Sequence, residues 1–532
     1  VKALMTLLGF LLRLVIFLLT GEWVRLSSEK TEGEPTAAPQ PKEAPRPSPT
    51  GTFTPKSPKT PTSPRQARAP RSASTRVNEA LAAADKQVVE ADQLVPRLAA
   101  AVSGASLVEL LEAGVGPLRR TLVLAKRGQA AALVSLPEKV EEAARTTALL
   151  RLAAEQRRDP VLAGTLADVD ACIDALAQPI YDNANSEGVV VLRRRSLALV
   201  DVDAERLEAA FARTPIAPVV VPRELGEAPE RWVMLGRVVG RRMLLDVPGW
   251  AGEHYEDLGL PPALMLPPSH AGYDPETASA AFGVWLPELF ADAFAAFCLG
   301  PAYVAWLMDT LVRKGEPMQL LIGYSRGRFL HGLPPSELRV QTGLAVLTRL
   351  GLHADERRLR ARFDGLAGPR ESLYLPFDDG AAARIPLSFM LARLSELLER
   401  MLDDPHAALG DDTWLDVPGF GYLHAEHSAA ESAAKRLALG QPVHTTPRIA
   451  IAAARLAVQA NARARGLVAQ ALRRSIRGAG TSETVPDVYQ KLAASQPERA
   501  SARRETLGAV LRNKRALREA FVLGTAFSPR RR

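Results

Sequence analysis

The chain has 532 residues, 47% of them hydrophobic and 24% charged, which leaves room for roughly two to four domains with sizeable buried cores. Its two cysteines, Cys172 and Cys298, lie far apart and exclude both a disulfide framework and a paired-cysteine metal clip. The net charge of +8 comes with 5% aromatic residues and without an aromatic-interleaved basic motif, so nucleic acid is disfavoured as a partner.

Residues 3–19 form an apolar run broken only by Arg13, close to the lower length limit of a membrane-spanning helix. The sequence that follows, Thr20-Gly-Glu-Trp-Val-Arg, carries no small-residue cleavage site, and this predicts an uncleaved hydrophobic membrane anchor over 1–22. Arg13 at mid-span costs on the order of 2.5–3.5 kcal/mol unless it snorkels or pairs. Lys2 before the run and Arg25 and Lys30 after it give no positive-inside bias, so the side holding the soluble part stays open. Residues 23–75 shift to Pro, Ser, Thr, Ala, Lys and Arg. With almost no large apolar side chains they cannot offset the entropy of ordering, and a disordered linker is expected.

From 76 to 180 apolar residues recur at three- and four-residue intervals, predicting helices over 77–95, 107–124 and 136–156, with Pro96, Pro117, Pro137 and Pro160 as punctuation. The segment 181–440 opens differently. Residues 188–192, 196–201 and 216–221 are β-branched and apolar, 204–212 has a helical pattern, and a helix carrying Arg237 and Arg241 follows. Further helices are expected over 287–299, 335–350, 386–402 and 448–476, the last inside a basic helical region, 441–532. The fold class is mainly α with a small β layer, an α+β core preceded by a helical bundle and the anchor. Leu245-Asp-Val-Pro-Gly249 recurs as Leu415-Asp-Val-Pro-Gly419, which reads as one Pro-Gly turn used twice.

Two segments carry a possible chemistry. Trp285-Leu-Pro-Glu-Leu-Phe-Ala-Asp-Ala-Phe294 places Glu288 and Asp292 one helical turn apart on one face. Upstream, Glu230-Arg-Trp-Val-Met-Leu-Gly-Arg-Val-Val-Gly-Arg241 has the look of a metallopeptidase helix, with Arg237 and Arg241 four residues apart. Together they resemble the two motif helices of the gluzincins, the thermolysin-like zinc peptidases, over residues 185–350. In that family a Glu-x-x-x-Asp helix supplies the third metal ligand and a carboxylate that orients a ligating histidine. The resemblance implies a zincin-like core, with Glu288 and Asp292 in those two positions. It also requires His-Glu-x-x-His on the first helix, and this chain has Arg237-Val238-Val239-Gly240-Arg241 there. Arginine has no lone pair to give a metal, and Val238 cannot act as general base. The expectation is a degenerate zinc site at Arg237, Val238, Arg241, Glu288 and Asp292, with no catalytic residue, no metal and no cofactor. Two guanidiniums facing two carboxylates then form a charge-assisted lattice. A protein or peptide partner and a binding or scaffold role follow from the resemblance.

Two alternatives are weighed beside it. Gly323-Tyr-Ser-Arg-Gly327 fits the G-x-S-x-G nucleophile elbow, with Ser325 as nucleophile and Asp378 or Asp379 and His424 or His427 in the order of a serine hydrolase triad. Pro334 and Pro335 interrupt the helix that should follow. His424-Ala-Glu-His427 also places two imidazoles at i,i+3, and a third ligand from His254 or His270 would complete a metal site of unfamiliar spacing. A purely structural, helical, envelope-associated protein is the remaining reading.

Overall fold

The computed structural model describes residues 73–479, apart from 102–103, 190–193, 204–206, 208–210, 212–215, 248, 258–274, 313–323, 326–327, 330–332 and 377–381. The expected anchor at 1–22 and almost all of the expected linker at 23–75 lie outside the described residues, as do most of the 188–192 strand and residues 480–532.

The described chain is mainly helical. It begins with three long helices, α1 (Ala73–Ala99), α2 (Gly104–Lys126) and α3 (Ala130–Gln156), which pack on one another around Leu98, Leu111, Leu118, Leu136 and Leu150. The prolines expected to separate helices do not all do so, since Pro96, Pro117 and Pro137 lie inside α1, α2 and α3. Each removes one backbone bond, and the apolar seam on either side holds the helix continuous across the gap. Pro160 does mark a boundary. It is the first residue of α4 (Pro160–Ser186), behind Asp159, whose carboxylate accepts from the Val161 and Leu162 N–H groups.

Strands β1 (Arg195–Leu199) and β2 (Ile216–Val220) pair in parallel, with Leu197 opposite Pro218. Their side chains alternate between two cores. Leu197, Leu199 and Ile216 complete the core of the three-helix bundle, while Ala198, Val200 and Val219 belong to a second, larger core. Burial on both faces is why these segments read as continuous apolar runs.

The larger core is built around α5 (Met234–Asp246), α6 (Trp250–Asp257), α7 (Pro275–Leu299) and α8 (Pro301–Leu311). It continues through a short antiparallel hairpin, β3 (Tyr324–Ser325) and β4 (Arg328–Phe329), into α9 (Ser336–Arg349) and α10 (His353–Ala367). A second hairpin, β5 (Ser372–Pro376) and β6 (Ala382–Pro386), leads to α11 (Leu387–Asp403), α12 (His424–Ala438), α13 (Pro447–Ala460) and α14 (Arg465–Ala479). Among the described residues the strands thus form separate two-stranded pairs and no common layer. The boundaries expected at 180 and 440 do not separate cores, because α4, α13 and α14 contribute Ile173, Ile451 and Leu472 to the same interior as α7.

Two expected helices are corrected. The one expected to start at Pro287 begins at Pro275, with Pro287 internal. The segment expected as one helix over 448–476 is two, because the chain leaves helical geometry at Asn461, whose side chain accepts from the Arg463 N–H and starts a new turn. Within α7 the window Ala281–Leu299 is apolar and long enough to cross a membrane, yet 89% of it is buried inside the fold, which makes it the central core helix. The repeated pentapeptide performs one task twice. Gly249 and Gly419 both adopt positive φ, +87° and +75°, and deliver Trp250 and Phe420 into one aromatic cluster around Trp414.

Candidate functional site

Helices α5 and α7 cross in close contact because small residues meet at the crossing. A methyl group added at Gly236 would stand 3.1 Å from the Ala295 Cα, and one at Gly240 would stand 2.9 Å from the Ala291 Cα. This antiparallel register, 236 to 295 and 240 to 291, carries the residues one position along into contact as well. Arg237 therefore reaches Asp292, and Arg241 reaches Glu288.

The Arg237 guanidinium binds Glu288 through Nη2 and donates from Nε to Asp292 Oδ1 at 3.2 Å. Arg241 Nη1 lies 2.9 Å from Glu288 Oε1. Val238, between them, packs against the larger core. The four charged residues singled out from sequence thus meet in one cluster. Two further members have no counterpart in the sequence reading. Arg339, on α9, donates from Nε to Asp292 Oδ2 at 2.6 Å and from Nη2 to Oδ1 at 2.9 Å, and the Tyr303 hydroxyl on α8 donates to Oδ1 at 2.5 Å. Asp292 has 0% exposed surface and accepts from all three neighbours.

Burial pulls the Arg237 guanidinium below its usual range, with the attraction of Asp292 opposing it and the nearby Arg339 and Arg241 adding to the fall. Burial also acts downward on Arg339, but the attraction and hydrogen bonds of Asp292 outweigh it, and Arg339 is held above the usual range. The Tyr303 hydroxyl is pushed far up, first by burial and then by the Asp292 charge, and stays a donor. A zinc ion does not fit this donor set: guanidiniums have no lone pair, three of them stand against the two carboxylates, and a dication would meet positive charge from all three. The groove between β2 and α5 that Arg241 lines encloses about 40 Å³, the space of one or two water molecules at roughly 30 Å³ each.

A second buried network ties α5 to β1 and α4. Arg242 donates to Asp246 Oδ2 at 2.8 Å and to the Ser196 hydroxyl at 2.6 Å, Arg194 binds Asp246 Oδ1 at 2.9 Å, and Tyr181 donates to Asp246 at 3.1 Å. The free edge of β1 is also capped, and that of β2 lacks one donor. On β1, Asp174 accepts from the Ser196 N–H, Asp170 from the Ala198 N–H and Gln156 from the Val200 N–H. On β2, the Val221 N–H points inward to the Leu199 carbonyl. By alternation position 218 faces outward, and it is proline, which has no N–H to offer.

The alternative site residues do not share this geometry. Ser325 ends β3 and pairs with Arg328 of β4, so the strand returns as a hairpin where a nucleophile elbow turns into a helix. Asp378, Asp379 and His270 lie outside the described residues. His424 is exposed at the start of α12, while His427 is buried with its Nε2 at 3.2 Å from Asp355. His254 is buried elsewhere, against Trp250, Phe290 and His406. Among the described residues no group of three His, Cys, Asp or Glu side chains is placed to hold a metal.

Compared with protein-family models, with curated proteins and with solved structures, the chain matches none.

Proposed function

We propose that this chain is a membrane-tethered, non-catalytic protein with a binding or scaffold role, built on a degenerate zincin-like core whose metal position is filled by salt bridges. The observation that carries the reading is the pairing of Arg237 and Arg241 on one helix with Glu288 and Asp292 on the next. It is the geometry by which two imidazoles, a metal-binding glutamate and an orienting aspartate would converge. Asp292, the residue in the orienting position, contacts the side chain that stands where the first histidine belongs. In this chain the same positions hold cations and anions that neutralise one another, leaving neither an open coordination position nor a general base. The apolar run at 3–19 supplies the tether. The capped β1 edge directs a partner away from that side of the sheet, because an added strand would find side chains already on its N–H groups, and Pro218 removes one donor from the β2 edge.

The test is to rebuild the motif. The triple substitution Arg237→His, Val238→Glu and Arg241→His restores His-Glu-x-x-His opposite Glu288. We expect the variant to take up one equivalent of zinc, and the further change Glu288→Gln to abolish uptake, while the natural chain takes up none. Zinc bound stoichiometrically by the natural chain and lost on Glu288→Ala would overturn the non-catalytic reading. A correctly folded triple variant that ignores zinc would overturn the zincin-like one.

A further inference from the structure

A cleft of about 540 Å³, far larger than the groove beside the lattice, lies where the C-terminal ends of α1 and α3 meet the start of α4. Its floor is apolar, with Leu94 and Ala154 buried and Pro160 beside them. Three exposed arginines line it, Arg97 from α1, Arg151 from α3 and Arg158 just beyond α3, and among the described residues none of their guanidiniums has a hydrogen-bond or ion-pair partner. Arg157 also lines the cleft but is already engaged, by Asp170 at 2.8 Å and by the Ala198 carbonyl at 3.2 Å. Glu155 is the acidic residue at the rim.

Helix polarity explains part of this arrangement. Arg97 and Arg158 stand at helix C-termini, where cations are favoured. Arg151 lies more than one turn inside α3, beyond the reach of the end effect. Each helix end contributes roughly half a negative charge. With the positive start of α4 and its Asp159 cap included, the two C-terminal ends, Glu155 and Asp159 leave roughly half a positive charge of the three arginines uncompensated.

We propose that this cleft binds a small molecule that carries a phosphate monoester on an apolar body. Planar guanidinium forks approaching from separate elements match the oxygens of a phosphate, and a buried hydrocarbon floor beneath them suits an apolar substituent. The volume falls within the roughly 300–1,000 Å³ of small-molecule sites. This site shares no residue with the α5–α7 lattice and stands whether or not the zincin-like reading holds.

The experiment is calorimetric titration of the full chain with three probes at low ionic strength: inorganic phosphate, phenyl phosphate, and dihexanoyl phosphatidic acid below its micellar concentration. One of the two esters should saturate one site at least tenfold more tightly than inorganic phosphate. Tighter binding of the lipid assigns a headgroup ligand, and tighter binding of phenyl phosphate assigns a soluble ester. Arg97→Glu with Arg151→Glu should weaken the ester at least tenfold, whereas Arg463→Glu, an exposed arginine outside the cleft, should leave it unchanged. If the double variant fails to fold, Arg151→Gln alone should weaken binding severalfold. Absence of saturation by either ester, equal affinity for ester and inorganic phosphate, or equal weakening by Arg463→Glu would each overturn the proposal.

Discussion

Asp292 concentrates the energetics of the lattice at one side chain. It is fully buried and accepts from Arg237, Arg339 and Tyr303, so its removal leaves the buried Arg339 and the Tyr303 hydroxyl without this acceptor, while Arg237 keeps Glu288. Asp292→Ala is expected to destabilise the fold by about 3–5 kcal/mol, the usual cost of stranding a buried charge. Arg339→Met should cost less in an Asp292→Leu background than in the natural chain, because the double change strands neither partner. Urea unfolding of the four proteins measures that coupling, and equal costs in the two backgrounds would show that the pair is not coupled. Sequence spacing made Arg237, Arg241, Glu288 and Asp292 legible, since residues four apart share a helix face. Arg339 and Tyr303 were not, because their partner lies on another helix and no spacing rule connects them. The one trace of Arg339 in the sequence is its position between Leu338 and Val340, where a charge flanked by apolar residues needs a counter-ion if it is buried.

At the scale of the element, the α5–α7 crossing depends on missing side chains. Gly240→Ala places a methyl group 2.9 Å from the Ala291 Cα and 2.8 Å from the Phe294 Cβ, and neither atom can swing away. The helices must move apart, with an expected loss of about 1–3 kcal/mol and a weakening of the salt bridges that the same crossing brings together. Gly252→Ala meets no atom within 4 Å and is the matched control, expected to be neutral or slightly stabilising in thermal unfolding. Long helices such as 335–350 and 386–402 were legible within a residue or two of α9 and α11 because both are amphipathic and bounded by proline. The start of α7 was not, because the sequence marks Pro287 as a boundary and a core of aromatic rings around the helix overrides it. The small residues Gly236, Gly240, Ala291 and Ala295 meet at the crossing and allow the close approach that brings the charges together.

For the molecule as a whole, the buried His254 sets an acid limit. Burial, with the adjacent His406 adding to it, lowers the His254 pKa from an ordinary 6.5 to about 3, so the folded protein holds it neutral. The rings around it are Trp250, Phe290 and His406, and the Glu253 carboxylate lies 3.5 Å from His406 Nδ1. Because the unfolded chain takes up the proton more readily, this group's stabilisation is complete above about pH 6.5. It is lost as pH falls toward 3, at up to about 1.4 kcal/mol per pH unit. His254→Phe keeps the ring and removes the titration, and its melting temperature should fall less steeply than that of the natural chain between pH 6 and 4. Parallel slopes would mean that other groups govern the acid limb. The β1–β2 pair has a further meaning for how the molecule divides. The three-helix bundle looks separable in sequence, yet its core includes Leu197, Leu199, Phe211 and Ile216, which arrive only after α4 has entered the larger core. A fragment ending at residue 186 would keep every helix of the bundle and lack its back wall. The bundle is therefore no autonomous module: it borrows its last layer from the domain it precedes.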